Sequence, residues 1–241
     1  MQEELIKKIK LRGYWRINFQ PLVPEKKLET LSSCKEIVER SAVELRGWDY
    51  PHFPRRSGED MDLEPCENYY QGWTNWNAHK EFWRMYQSGQ FLHYLALRED
   101  WVEEDQWISS DSYLRKIKPM KLLGVTGSTV YQLTEIFEFL RRLVNEGLYD
   151  EGVAVKISLN NIMDRELWIE DIVRRAPFFT PHKTGAAKFD FSEAYSKEQI
   201  MSQSKEIAMS VIKMIFERFG WDNPSSEALE QDQNNLLAGK P

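Results

Sequence analysis

Only two cysteines occur in 241 residues, Cys34 and Cys66, too few for a disulfide framework. Packing must therefore supply stability, and a reducing, cytoplasmic setting is expected. Histidine is nearly as scarce. His52, His79, His93 and His182, taken with the cysteines, show no Cys-x-x-Cys, His-x-x-x-His or His-Glu-x-x-His spacing, so no local metal motif is present. No run of about 18 apolar residues exists, and the opening MQEELIKKIK breaks its apolar positions with charge, so neither a membrane span nor a signal peptide is expected. No Gly-x-Ser-x-Gly elbow supports serine hydrolysis. The glycines of residues 124–129 (GVTGST) precede a helix start without the lysine that a P-loop needs, which makes them a connector and cap. Residues 153–156 (VAVK) resemble a kinase lysine strand, but no glycine-rich loop precedes them and no His-Arg-Asp or Asp-Phe-Gly follows. No repeat at a fixed period is present, and no cofactor is implied.

Basic residues are also in the minority overall. Thirty-two Lys and Arg against 38 Asp and Glu give a net charge of −6, which argues against a whole surface built for non-specific nucleic-acid binding. The charge is uneven, however. Residues 7–56 carry 12 basic and 6 acidic side chains, a local +6, so the remainder is −12.

The apolar pattern predicts an α+β fold: a mostly antiparallel sheet, three main helices and a single compact body over residues 1–222. Its two packed halves meet near residues 123 and 124. Trp15, Ile17 and Phe19 alternate with polar residues over 14–19 as a strand with one buried face. Leu28, Leu31, Cys34, Ile37 and Val38 form a helical stripe over 25–40, followed by a strand over 42–48. Residues 69–76 read as a strand and 81–98 as a hairpin turning at Ser88-Gly89. Thr129 and Gln132 stand in capping-box spacing before a helix that Gly147 ends. Strands follow over 153–159, 166–170 and 188–191. Ser196 and Gln199 open a long helix whose stripe is Ile200, Ile207, Val211, Met214, Ile215 and Phe219, and 223–241 read as a disordered tail.

The densest chemistry lies in residues 45–56 (LRGWDYPHFPRR), where Arg46, Trp48, Tyr50, His52, Arg55 and Arg56 crowd a segment stiffened by Pro51 and Pro54. Such a loop suits stacking on a base or peptide while guanidinium groups hold a phosphate or carboxylate. The competing structural reading has the aromatics filling a core corner and the arginines paired with acids. Arg84 shares a strand face with Phe82 and Tyr86 and is the second candidate contact.

The segment LRGWDYPH over 45–52, with LTEIFEFLRRL over 133–143 and the strand after it, resembles regions that accompany Schlafen/AlbA-type putative DNA-binding domains in bacterial proteins. The resemblance implies a bacterial cytoplasmic accessory module. Two functions are expected. The first is a non-enzymatic binding or sensor module that engages a nucleic acid, a nucleotide or a protein partner through the basic aromatic loop and the Arg84 face. The alternative is a metal-dependent enzyme acting on nucleic acid or a phosphoester, with acids near Asp150 and Asp164 as ligands. Asp150, Glu151 and Lys156 come near the requirement of such an enzyme without its usual Glu-x-Lys spacing, and Asp164, Glu166 and Asp171 read rather as a solvated turn and strand edge.

Overall fold

A computed structural model of the chain describes residues 2–23, 27–109, 112–170 and 176–240. Its centre is strand β1 (Tyr14–Pro21), whose alternation is the one the sequence predicts. Trp15, Ile17 and Phe19 point to one side, and they pair with Leu95, His93 and Phe91 on one edge and Leu159, Ile157 and Val155 on the other. These partners belong to β5 (Phe91–Ala96) and β7 (Val153–Asn160). β5 continues into β4 (His79–Tyr86), β3 (Tyr69–Trp76) and β2 (Met61–Pro65), and β7 into β9 (Lys188–Tyr195). The seven strands run in the order β2-β3-β4-β5-β1-β7-β9 with every neighbouring pair antiparallel. One sheet thus draws strands from both sides of residue 123.

Helices cover both faces. On the Trp15 side lie α2 (Leu31–Ser41), α4 (Gln132–Asn145), α5 (Lys197–Arg218) and α6 (Ser226–Leu237), and together they enclose the larger core. On the other side, α1 (Gln2–Lys10) buries Leu5 and Ile9 against Trp73, Phe82, Ala96 and Trp101. The one-turn α3 (Tyr113–Lys116) and a small parallel pair, β6 (Leu122–Gly124) with β8 (Glu166–Trp168), complete the described elements. The class is α+β with a mostly antiparallel sheet, as expected, but there are six α-helices among the described residues rather than three main ones.

Local signals explain most boundaries. Ser196 and Gln199 form the capping box in both directions, at 3.3 and 2.9 Å. Thr30 caps α2 through the Ser33 N–H at 3.0 Å, so that helix begins at residue 31 rather than 25; residues 24–26 lie outside the described residues. Gly147 (φ 82°) takes the left-handed position after α4, and Gly89 (φ 82°) does so in the predicted hairpin turn.

Four expectations are corrected. Residues 42–48 are not a strand but a loop closed by a two-way bridge, Val43 N–H to Tyr50 O at 2.8 Å and Tyr50 N–H to Val43 O at 2.9 Å. Thr129 does not cap α4. A π-helical turn (Thr126–Tyr131) precedes that helix, and the Thr129 hydroxyl donates to Gly124 O at 2.7 Å. Met214, placed on the α5 stripe by its spacing, is exposed. The tail read as disordered contains α6, which buries Leu229 and Leu236 completely. Between them the stripe position is filled by Gln233, whose amide donates to Thr134 Oγ1 at 3.2 Å and Lys205 O at 3.1 Å. A polar residue in the middle of an i, i+4, i+7 stripe hides the amphipathic period. Leu236→Ala is therefore expected to cost about 2 kcal/mol or more, read as a drop in the urea midpoint; an unchanged midpoint would show that α6 contributes nothing to the fold.

Candidate binding site

The loop over 42–56 folds across the open end of the β3–β4–β5 face, held there by backbone contacts to strand side chains. The Trp83 indole donates to His52 O at 2.9 Å, and the His52 N–H donates to Glu81 Oε1 at 2.9 Å. Tyr50 and Phe53 are buried in the larger core. Trp48 is half-buried and stacks on His52 (ring centroids 4.1 Å apart) and, in parallel planes, on Trp76 (5.7 Å). Trp76 in turn meets the exposed Trp107 edge-on at 4.7 Å. The two readings of this loop thus divide between residues, because Tyr50 and Phe53 fill the core while Trp48 stands at its margin.

Trp48 separates two concavities. The outer one, about 360 Å³, is bordered by Trp48, His52, Arg55, Arg56, Met61 and Trp76. Arg55 and Arg56 are exposed there, and Arg55 pairs with the exposed Glu44. His52 pairs with Asp49, which also accepts from the Phe53 N–H at 3.2 Å. Burial opposes a charge on His52, but the Asp49 hydrogen bond and the field of Glu81 outweigh it, so its pKa is raised.

The inner cavity, about 630 Å³, lies behind Trp48, between the sheet and the start of α4. Its acids come from separate elements. Glu81 of β4, on the inward face with Trp83, accepts from His93 Nε2 at 2.8 Å as well as from the His52 N–H. The Glu81 carboxylate, which can only accept, requires a proton on His93 Nε2, and Tyr50 OH lies 3.1 Å from Nδ1 on the other side of that ring. His79 Nε2 lies 2.8 Å from the Trp48 indole nitrogen and 2.9 Å from Glu81 Oε1. With its proton on Nδ1 it accepts from Trp48; with the proton on Nε2 it donates to Glu81. Burial lowers the pKa of His79, which favours the neutral ring.

Glu135 of α4 is ion-paired with Arg46 at 2.6 Å, and burial outweighs that partner, so its pKa is raised. Arg46 also donates to Gly127 O (2.9 Å) and Gln132 Oε1 (3.2 Å). Glu170, just beyond β8, accepts from the Thr126 and Gly127 N–H groups at 2.9 and 2.7 Å. Those are the N–H groups at the glycine connector, and they already hold a carboxylate of the chain itself. Burial, with the nearby Glu99 charge adding to it, raises the Glu170 pKa against these backbone bonds. Gly124 has no room for a side chain, since a Cβ there would lie 2.1 Å from Glu170 Oε1 and 2.9 Å from Glu99 Oε1.

The predicted residues therefore divide into three groups. Trp48, His52, Arg55 and Arg56 share the outer concavity. Arg46 and Tyr50 turn inward and serve buried partners, so one anion cannot meet Arg46 together with Arg55 and Arg56. Arg84 lies on the opposite face of the sheet, bonded to Gln71 Oε1 at 2.9 Å and seated over Tyr69 and Phe82, apart from the loop. Of the acids proposed as metal ligands, Asp150 pairs with Lys197 at 2.6 Å and Asp164 sits in an exposed left-handed turn (φ 61°), while Asp171 lies outside the described residues. Among the described residues, no group of three His, Cys, Asp or Glu side chains is arranged to hold a metal ion. No helix there is long and apolar enough to cross a membrane.

Sequence reasoning missed Glu81, Glu99, Glu135, Glu170 and Gln132 as site residues. A signal did exist for two of them: Glu81 and Glu135 are acids at inward positions of otherwise apolar periods. No protein-family model, curated protein or solved structure matches the chain.

Proposed function

We propose that this protein is a non-enzymatic binding module whose outer concavity takes a ligand that joins an aromatic base to phosphate, either a nucleotide or a short stretch of single-stranded nucleic acid. The carrying observation is the placement of two guanidinium groups, Arg55 and Arg56, and the His52 imidazole beside the Trp48–Trp76 stack. Stacking of a base on an indole contributes about 1 to 3 kcal/mol and tolerates any base. The arginines and His52 supply charge-assisted donors to phosphate oxygens. The −12 carried outside residues 7–56 restricts such binding to this patch. A cytoplasmic role beside a nucleic-acid-handling partner, the setting that the resemblance to Schlafen/AlbA-associated regions implies, belongs to the same proposal.

The test is fluorescence titration of nucleoside monophosphates and an oligothymidylate into the wild type and an Arg55→Ala/Arg56→Ala variant. Affinity for both ligand types should fall by about tenfold or more with the melting temperature unchanged, because exposed arginines contribute little to folding. Wild-type affinity should also fall as pH rises through the raised pKa of His52, since only the protonated ring attracts phosphate. Equal affinity of variant and wild type for both ligands removes the outer concavity as the site.

A further inference from the structure

His79 Nε2 stands between two partners that make opposite demands on it. The Trp48 indole nitrogen, 2.8 Å away, can only donate, while Glu81 Oε1, 2.9 Å away, can only accept as an ionised carboxylate. One ring nitrogen carries either a lone pair or a proton, so it cannot serve both at once. In the neutral ring with its proton on Nδ1, Nε2 accepts from Trp48 and turns the same lone pair toward the carboxylate. In the imidazolium, Nε2–H donates to Glu81 and meets the indole N–H donor to donor.

The groups around His79 favour an exchange between these two states. Among the described residues, the charged and titratable groups that face it are Glu81 on its own strand, His52 of the loop (ring centroids 6.1 Å apart) with its partner Asp49, and His93 of β5 on the far side of Glu81. Beyond them the cavity is lined by the Arg46–Glu135 pair, Arg98, Glu99 and Glu170. Glu81 can take the new bond, because Oε1 accepts the His52 N–H and Oε2 accepts from His93, and each carboxylate oxygen has two lone pairs. The His79 side chain is 26% exposed, so a proton reaches it from solvent. Trp48 is held on its faces by stacking on His52 and Trp76, and at its polar edge by His79.

We propose that His79 is a proton-operated latch on Trp48: the neutral ring holds the indole in place between the two concavities, and the protonated ring turns its Nε2–H to Glu81 and releases it. Trp48 lines both concavities, so its release joins them. Burial keeps His79 neutral to a pH below the ordinary histidine value of about 6.5, so the latch is closed near neutral pH and opens on acidification. His52, with its raised pKa, takes its proton first and keeps its Asp49 bond when charged. The two histidines thus act in sequence as pH falls. For the nucleotide site the latch adds an acid limit to the alkaline one set by His52, a consequence that rests on the reading of the outer concavity given above.

The experiment records proton–nitrogen correlation spectra of the full chain without ligand, from about pH 8 to about pH 5, and follows the ring nitrogens of His79 and the indole N–H of Trp48, the latter assigned by its loss in Trp48→Phe. At the alkaline end His79 should carry its proton on Nδ1 and the Trp48 N–H should exchange slowly with solvent. As His79 takes its second proton, that exchange, corrected for its intrinsic pH dependence, should accelerate about fivefold, the factor expected for loss of one neutral hydrogen bond. His79→Gln presents a carbonyl to Trp48 and an amide N–H to Glu81 without titrating, so it should keep the Trp48 N–H slow to exchange over the whole range. The latch is overturned by a neutral His79 with its proton on Nε2, by a ring that stays neutral to the acid end, by Trp48 exchange that does not change as His79 titrates, or by an equal acceleration in His79→Gln. These measurements contain no nucleotide, so failure of the outer concavity as a binding site leaves their outcome unchanged.

Discussion

Asp100→Ala is expected to lower the unfolding free energy by about 3 to 5 kcal/mol, the cost of leaving a buried charge without its partner. The charge left behind is Arg165, fully buried and bonded through Nη1 and Nη2 to the two oxygens of Asp100. The same carboxylate accepts the N–H groups of Gly13 (2.7 Å) and Met120 (2.6 Å), while Arg165 donates to Leu122 O (2.7 Å) and Asn161 O (2.9 Å). The pair thus joins the start of β1, the approach to β6 and the β7–β8 turn to the segment that carries Glu99. Gly13 lets the guanidinium approach, since a Cβ there would lie 2.2 Å from Nη2. Urea unfolding measures the loss. Asp100→Leu with Arg165→Met should restore only part of it: the apolar pair avoids desolvation of either charge, but the Gly13 and Met120 N–H groups and the Leu122 and Asn161 carbonyls then lose their side-chain partners. A loss below about 1 kcal/mol in Asp100→Ala would place the pair in a more hydrated setting than its burial implies.

Neither partner of that pair was legible in the sequence, and the reason is general to this chain. Strands β1, β3, β4, β5 and β7 and helices α2, α4 and α5 announce themselves because apolar residues recur at period 2 or 3.6 and caps or glycines mark their ends. Contacts across the fold carry no such period. Asp100 and Arg165 are 65 positions apart, Arg46 and Glu135 are 89 apart, and residue type alone does not connect them. The loop over 45–56 stood out by composition and does line both concavities, but composition could not tell Arg46, which turns inward to Glu135, from Arg55 and Arg56, which stay at the surface. Arg84 was placed correctly beside Phe82, on the face the loop does not cover. α1 escaped notice because its three apolar residues, Leu5, Ile6 and Ile9, are few, and α6 because Gln233 occupies its buried stripe.

The buried acid most open to discovery from pattern alone is Glu81, and its removal should show which charges the inner cavity depends on. Glu81 is 1% exposed and accepts from His93 and the His52 backbone, with His79 within reach. Burial pushes its pKa up, yet the fields and hydrogen bonds of His79 and His93 outweigh burial and hold it well below the ordinary carboxylate range. A carboxyl whose folded pKa is depressed contributes stability above its unfolded pKa, about 4.3, and loses it as pH falls through the folded value. His52 runs the other way, since its raised pKa contributes stability that is complete below about pH 6.5 and is lost as pH rises through the folded value. Glu81→Gln should therefore be about 3 kcal/mol or more less stable than wild type near neutral pH, as expected when one member of a buried charged network is removed. The gap should narrow steadily below about pH 4, because there the unfolded wild type takes up a proton at Glu81 that the folded state, with its depressed pKa, does not, while the variant has no carboxyl to titrate. Guanidinium unfolding at a series of pH values reads the two curves directly. A gap that stays constant from neutral pH to pH ~3 would mean that Glu81 acts through shape and hydrogen bonding rather than charge.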